Sequence, residues 1–574
     1  MITAGKLALL MLSYFGYWEY FRKRLGIHVF FAPAFTIGVQ FSVLFLPGLL
    51  NFLPEAAYCV YFGGLLLLAF ELRREKWRVV LPYLNCGYVF FGVMLLMVAI
   101  TVNDQLVTGF DNFTHWAVVV KNMLAADRFP TFAQSAVGFM DYPLGSSTII
   151  YYFCRMTGTG ESMQMLAQGF IMLCMILPVF SFGEKNSLFC CVFGMLLTNI
   201  LLCYNVPVTE LLVDTLLPLT VMSTYFFLNW LFREKMDTWD TQWIWMVLPL
   251  LFFTMNVKSS GLLFVLIALL LMLLRCGKEK RSVKPVLKAA LVLAIGFFLW
   301  KRHCDYVFWN AAEGQHAISL EYFKMRLTER TWGTLLVILQ KVCLYAIGRK
   351  EVLWLAAGMS SLAMLTRWLK QDWKEKFWKM LKFSLLLYAV YSLSLAGMYM
   401  FSMGIQAALN LECIDRYMRT IDIALYLLMS AYAFGLFSEL EGTRIRLGVG
   451  GLLLAMLIGF WGVEGNFGLV TNTRSDPADR LYVENILQDY GVAKGFSYLV
   501  CDDTQADQYA AYVCRFCLDT NQVKQIQVTS PSQMEIEKDY DYIIILDTDN
   551  PVIENWVLEH YPQQAGSKVI QCIK

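Results

Sequence analysis

The run Phe110-Asp111-Asn112-Phe113-Thr114-His115-Trp116 puts a carboxylate, an imidazole and an indole within six residues, just past an apolar stretch. An aspartate can take a proton, and a histidine can orient it or touch a substrate hydroxyl. An indole can stack on a sugar ring or settle at a membrane–water interface. If Asp111 to Lys121 is helical, Asp111 and His115 share one face. The same residues also suit an ordinary amphipathic loop helix anchored by His115 and Trp116.

Composition says where such a segment must sit. The chain has 574 residues, 58% hydrophobic, 15% aromatic and only 16% charged. Soluble domains are about 25% charged. Successive apolar runs lie near Leu7–Phe21, Val29–Leu50, Leu53–Phe70 and Val79–Thr101, and more follow. This predicts a polytopic α-helical membrane protein of roughly 12 to 14 spans. Net charge is +2, which by itself points neither toward nor away from nucleic acid; no nucleic-acid partner is expected. The 15 cysteines are scattered through apolar runs and give no disulfide framework.

Basic loops set the orientation. Arg22-Lys23-Arg24, Arg73 to Arg78, Arg275 to Arg281 and Arg367 to Lys379 belong in the cytoplasm. That puts a large loop, 102–145, outside. The membrane part covers 1–465. A polar segment, 475–574, reads as a small α/β domain on the same outer side. Its strands are expected at Phe496–Cys501, Lys524–Val528, Tyr542–Leu546 and Lys568–Ile573, with helices at Ala510–Leu518 and Val552–His560.

Four outward segments hold polar residues that hydrophobicity does not explain. The first is the opening run with Lys121, closed by Asp141-Tyr142-Pro143-Leu144-Gly145. The second is Glu210-Leu211-Leu212-Val213-Asp214, two acids expected on one helix face, which are costly in a span unless paired or used. The third is Lys258-Ser259-Ser260-Gly261. The fourth is Asp415-Arg416-Tyr417-Met418-Arg419, whose two arginines form a cationic face suited to phosphate. Lys121, Lys258, Arg416 and Arg419 run against the inward bias of positive charge, and an anionic lipid head at the outer interface accounts for all four.

Two further signals are set aside. Asp547-Thr548-Asp549 resembles a metal–nucleotide DxD pair, but the segment around it is too small for such an enzyme and reads as a strand-end turn. Cys514-Arg515-Phe516-Cys517 has redox spacing, but lies inside a helix rather than at its start, where a thiolate would be stabilised. His316 falls in an outward loop.

Asp111-x-x-x-His115-Trp116-x-x-x-x-Lys121 followed by Tyr142-Pro143-Leu144-Gly145 resembles the first outer loop of bacterial multi-pass glycosyltransferases of the GT-C superfamily. Asp214, Lys258 to Gly261 and Arg416-Tyr417 sit where similar proteins carry an acid, a K-x-x-G and an R-Y. The resemblance implies transfer of a sugar from a polyprenyl-phosphate carrier to an envelope glycan, lipid or protein acceptor. It implies Asp111 as base with His115 beside it. Trp116, Lys121, Tyr142, Asp214, Lys258, Arg416, Tyr417 and Arg419 would bind substrate. Many members carry adjacent acids here, whereas Asn112 follows Asp111, leaving one clear carboxylate. A divalent metal, Mg or Mn, stays open. Two other classes fit parts of the pattern: a flippase for a lipid-linked glycan, and an arginine-led glycan polymerase or ligase.

Overall fold

The computed structural model describes residues 2–131, 139–183, 192–194, 208–234, 242–308, 320–367, 371–462, 477–502, 508–547 and 550–572. The chain is a polytopic helical membrane protein. Among the described residues six helices are long and apolar enough to cross a bilayer: Ala32–Leu49, Leu53–Tyr83, Glu161–Phe182, Gly261–Lys278, Trp373–Phe401 and Ile414–Ser438. Other apolar runs that enter the expected span count form shorter helices, such as Cys86–Val102, Trp245–Val257 and Trp332–Gly348.

Burial sorts these helices. Glu161–Phe182 and Ile414–Ser438 are 89% and 94% buried and form the middle of the bundle. Leu53–Tyr83, Gly261–Lys278 and Trp373–Phe401 lie outside and turn Leu66, Leu270 and Leu385 outward. Lipid is the solvent on that face, so an exposed leucine there costs nothing.

One end of the bundle is basic. Lys23 Nζ lies 2.7 Å from Glu75 Oε1, and Arg22 Nε lies 2.8 Å from Glu19 Oε2. Phe31 packs against Phe227 and Trp230, with ring centroids 5.4 and 5.6 Å apart, which brings Arg233 to this same end. The acids and cations singled out above gather at the opposite end.

Residues 477–572 form a four-stranded sheet with helices. Strands β1 (Tyr498–Cys501), β2 (Val523–Ile526), β3 (Tyr542–Ile545) and β4 (Val569–Gln571) lie in the order β2-β1-β3-β4. β1 pairs parallel with β2 and β3, while β4 is antiparallel to β3. The two central strands are buried along their whole length, so each reads as a continuous apolar run rather than an alternation. The four strands fall within two or three residues of their expected ends.

Helices Ile2–Arg24 and Leu53–Glu75 touch through small residues, since a Cβ on Gly16 would stand 2.0 Å from the Gly64 carbonyl oxygen. Close backbone approach of this kind replaces the hydrophobic drive that lipid cannot supply. Gly16→Leu is expected to destabilise the protein by about 1–3 kcal/mol. A lower melting temperature in detergent checks this, with Gly5→Leu, which meets nothing within 4 Å, as the unaffected control.

Candidate functional site

Four chain segments meet at the acidic end of the bundle. The first follows the Cys86–Val102 helix and carries Asp111 into a wide π turn, Asn112–Trp116, which continues as helix Ala117–Ala126. Such turns are rare and gather at functional sites. Asn112 is fully buried. Its Nδ2 donates to the Thr108 carbonyl at 2.6 Å, and its Oδ1 accepts from Leu211 N at 3.2 Å. That single amide fastens the first loop to the second acidic segment.

The second segment is not helical as expected. The helix begins at Leu216, with Pro218 in its first turn. Proline is tolerated there because its missing N–H would have no partner. Glu210 and Asp214 therefore lie ahead of the helix and take different neighbours.

The third segment is the turn Lys258-Ser259-Ser260, closed by Gly261 N donating to the Lys258 carbonyl at 2.7 Å. Two glycines make room for it. A Cβ on Gly261 would stand 2.1 Å from the Thr254 carbonyl oxygen, and one on Gly145 would stand 2.4 Å from that of Asn256. A small cleft of about 30 Å³ beside this turn is lined by Asp141, Asn256, Ser259, Trp300 and Lys301, among others. The fourth segment is the first two turns of helix Ile414–Ser438, which carry Arg416, Tyr417 and Arg419.

Charges pair across these segments. Arg416 holds the Asp111 carboxylate in an ion pair. Lys258 Nζ lies 2.6 Å from Asp214 Oδ1, with both side chains largely shielded. The Tyr417 ring lies under both cations, 5.5 Å from Lys258 Nζ and 5.6 Å from the Arg416 guanidinium carbon. Arg419 attracts both Glu210 and Asp214 electrostatically.

The two acids of the second segment are driven apart. Burial, and then the Asp111 charge, raise the Glu210 carboxyl to about 7, against the pull of Arg416 and Arg419. Burial also pushes Asp214 up, but Lys258 first, then Arg416 and Arg419, more than offset it, and Asp214 stays below the usual carboxylate range. Acids with separated proton affinities within one site are what acid–base chemistry requires. Glu210, noted in sequence only as half of a pair, is thus the second acid beside Asp111. Its sequence signal was a charge placed directly ahead of an apolar run.

Two expected placements differ. His115 does not meet Asp111. It is 1% exposed and sits among aromatic rings, 4.7 Å from Trp116, 5.1 Å from Tyr142 and 5.9 Å from Phe139 by ring centroid. Burial lowers its pKa to about 3, so it is neutral at physiological pH. The π turn gives Asp111 and His115 different surroundings despite their spacing. Burial also pushes the Tyr142 hydroxyl up, and Trp116 lies within 6.0 Å of that ring.

Lys121 turns away from the cluster to the C-terminal segment. Its Nζ lies 2.6 Å from Asp519 Oδ1, donates to the Phe516 carbonyl and stands 4.4 Å over the Phe516 ring. Arg480 makes the matching contact. It pairs with Glu161 at 2.7 and 2.8 Å, donates to the Val107 carbonyl at 2.7 Å and lies 5.1 Å over Phe516. Phe113 packs on Tyr509 and Phe516. The small domain therefore clamps the loop that carries Asp111. A lone arginine in a polar helix gives no local sign of this.

Asp547 lies two residues past β3, beside Asn550, which caps the following helix by accepting from Val552 N and Ile553 N; Thr548 and Asp549 lie outside the described residues, as does His316. Cys514 and Cys517 are free thiols. Burial pushes Cys517 up to about 12 and Cys514 higher, the opposite of a reactive thiolate. Among the described residues no group of three His, Cys, Asp or Glu side chains is placed to hold a metal ion.

Two solved structures of ArnT from Cupriavidus metallidurans are similar to this chain. One is bound to undecaprenyl phosphate, at 12% identity and a TM-score of 0.48, and the other is in the apo state, at 11% and 0.38. Each comparison covers 82% of this chain and 94% of that chain. No family model and no curated protein matches the sequence. Likeness this remote assigns no chemistry, so the site is read from its own residues.

Two measurements check this geometry. An acid raised from 4.5 to about 7 on folding makes the folded state bind more protons than the unfolded state between those values. Its effect on stability is therefore a penalty that grows as pH rises from 4.5 to 7 and then levels off. Glu210→Gln should melt progressively higher than the wild type across that window, and equal pH slopes would contradict the assignment. Arg480→Gln should leave Glu161 half-buried without its cation and speed limited proteolysis between the membrane helices and 477–572.

Proposed function

We propose that this chain is a membrane glycosyltransferase. It would take a sugar from a polyprenyl-phosphate carrier and pass it to an envelope glycan, lipid or protein on the extracytoplasmic face. The observation that carries this reading is the meeting of Asp111, Glu210 and Asp214 with Arg416, Arg419 and Lys258 at one end of the bundle. The positive-inside bias supports placing that end outside, because the basic loops lie at the other. The sequence resemblance to GT-C enzymes points the same way.

The chemistry follows from charge. A carrier phosphate arriving at Arg416 competes with Asp111 for the same guanidinium, which offers two parallel donors to phosphate. Asp111 is released as that exchange occurs. It then takes the proton of the acceptor hydroxyl as that oxygen attacks the anomeric carbon. The bond from anomeric carbon to phosphate oxygen breaks, and the electron pair leaves with the polyprenyl phosphate. Arg416 and Lys258 stabilise the departing phosphate. Negative charge from Glu210 favours the oxocarbenium-like transition state. Tyr417 and Tyr142 offer aromatic faces for the sugar, and the buried Trp116 would act on it from behind Tyr142. His115, neutral and buried, supports those rings.

Incubating the purified protein with a panel of polyprenyl-phosphate sugars and following release of free carrier tests this. Asp111→Asn and Arg416→Ala are each expected to lower turnover by about 100-fold or more. Undiminished turnover in Asp111→Asn with loss in Arg416→Ala would instead favour an arginine-led ligase. The rate should rise as pH passes through about 7 with ionisation of Glu210, and Glu210→Gln should flatten that rise.

A further inference from the structure

A cavity of about 620 Å³ opens at the end of the bundle opposite the acid cluster. Three helices fix that placement. Gly261–Lys278 starts at the Lys258 turn and lines the cavity with Leu271, Leu274, Arg275 and Lys278; its 18 residues span about 27 Å. Ile414–Ser438 carries Arg416 at its start and lends Leu428 through Ser438 to the cavity. Leu216–Glu234 begins beside Asp214 and ends in the cavity at Arg233. About 30 Å is the thickness of the hydrocarbon core, so the mouth lies at the other membrane surface, the basic one.

We propose that this cavity binds an anionic phospholipid of the basic-side leaflet. Its phosphate would lie among Arg233, Lys278 and Lys376, and its acyl chains along the apolar wall.

The charge balance favours an anion. Among the described residues Arg233, Arg275, Lys278, Lys376 and Lys379 line the cavity with one acid, Glu439. Arg275 is held by Glu279, and Lys379 by Glu375 at 2.5 Å. Lys376 stands 4.3 Å over the Trp373 ring. Among the described residues five cations thus face three acids. The wall favours a lipid over a soluble anion, for it is built from Met222, Phe226, Leu274, Met380, Phe383 and Leu428. Leu274 at the rim continues an outward stripe with Leu270 and Leu266, spaced four apart on the same helix, so an acyl chain can pass from the cavity to the bilayer without crossing polar surface. The volume falls within the usual range of roughly 300–1,000 Å³ for small-molecule pockets.

Native mass spectrometry of the full chain, delipidated and then offered phosphatidylglycerol or phosphatidylcholine, tests the proposal. Phosphatidylglycerol should be retained at least about tenfold more tightly, and the triple variant Arg233→Gln, Lys278→Gln, Lys376→Gln should lose that preference. These three side chains are exposed, so folding and basal turnover should persist, which a melting curve and the carrier-release assay verify. Equal retention of the two lipids, or an unchanged preference in the triple variant, would overturn the proposal. Glycerol 3-phosphate competing as well as the whole lipid would overturn it in favour of a soluble phosphate ligand.

Discussion

Carboxylates at the end of an apolar bundle persist only if cations from other helices meet them. Here the pairs Arg416–Asp111 and Lys258–Asp214 join segments far apart in the chain. An ion withdrawn from water without a partner costs several kcal/mol. The four segments are therefore held to one another by the same charges that suit them to a phosphate ligand. Each pair is also an exchangeable contact, since an incoming anion can take the cation and leave the acid free.

Glu210 shows why the arrangement matters more than the inventory. It lies four residues from Asp214, yet the two acids are displaced in opposite directions. Asp214 has a lysine at contact distance. Glu210 has burial and the neighbouring Asp111 charge instead. The turn ahead of Leu216 is what separates their surroundings.

The C-terminal domain enters the site indirectly. Lys121 and Arg480 tie it to the first loop, and Phe113, Tyr509 and Phe516 fill the space between. The π turn is thus gripped on two sides, by Asn112 toward Leu211 and by the small domain toward Phe516. A loop held this way keeps its carboxylate aimed without being buried in lipid. The cavity at the far end shares three helices with the acid cluster, so the bundle presents charge to both membrane surfaces while staying apolar between them.

The sequence by itself determined the class of the molecule. Long apolar runs with few charges leave no alternative to membrane helices, because backbone groups in lipid must be satisfied within the segment. Strand positions in 477–572 were also legible, from β-branched runs between turn residues. The polar segments that meet were visible as charges that lipid would reject. Tertiary structure alone decided their partners. Spacing set Asp111 with His115, but the π turn gave the aspartate to Arg416 and the histidine to an aromatic cage. A positive charge on the outer side set Lys121 among the phosphate ligands, but the docked domain claimed it. Local periodicity records which face of a helix a residue occupies; which group stands opposite depends on helices brought together from hundreds of residues away, and no local pattern encodes that.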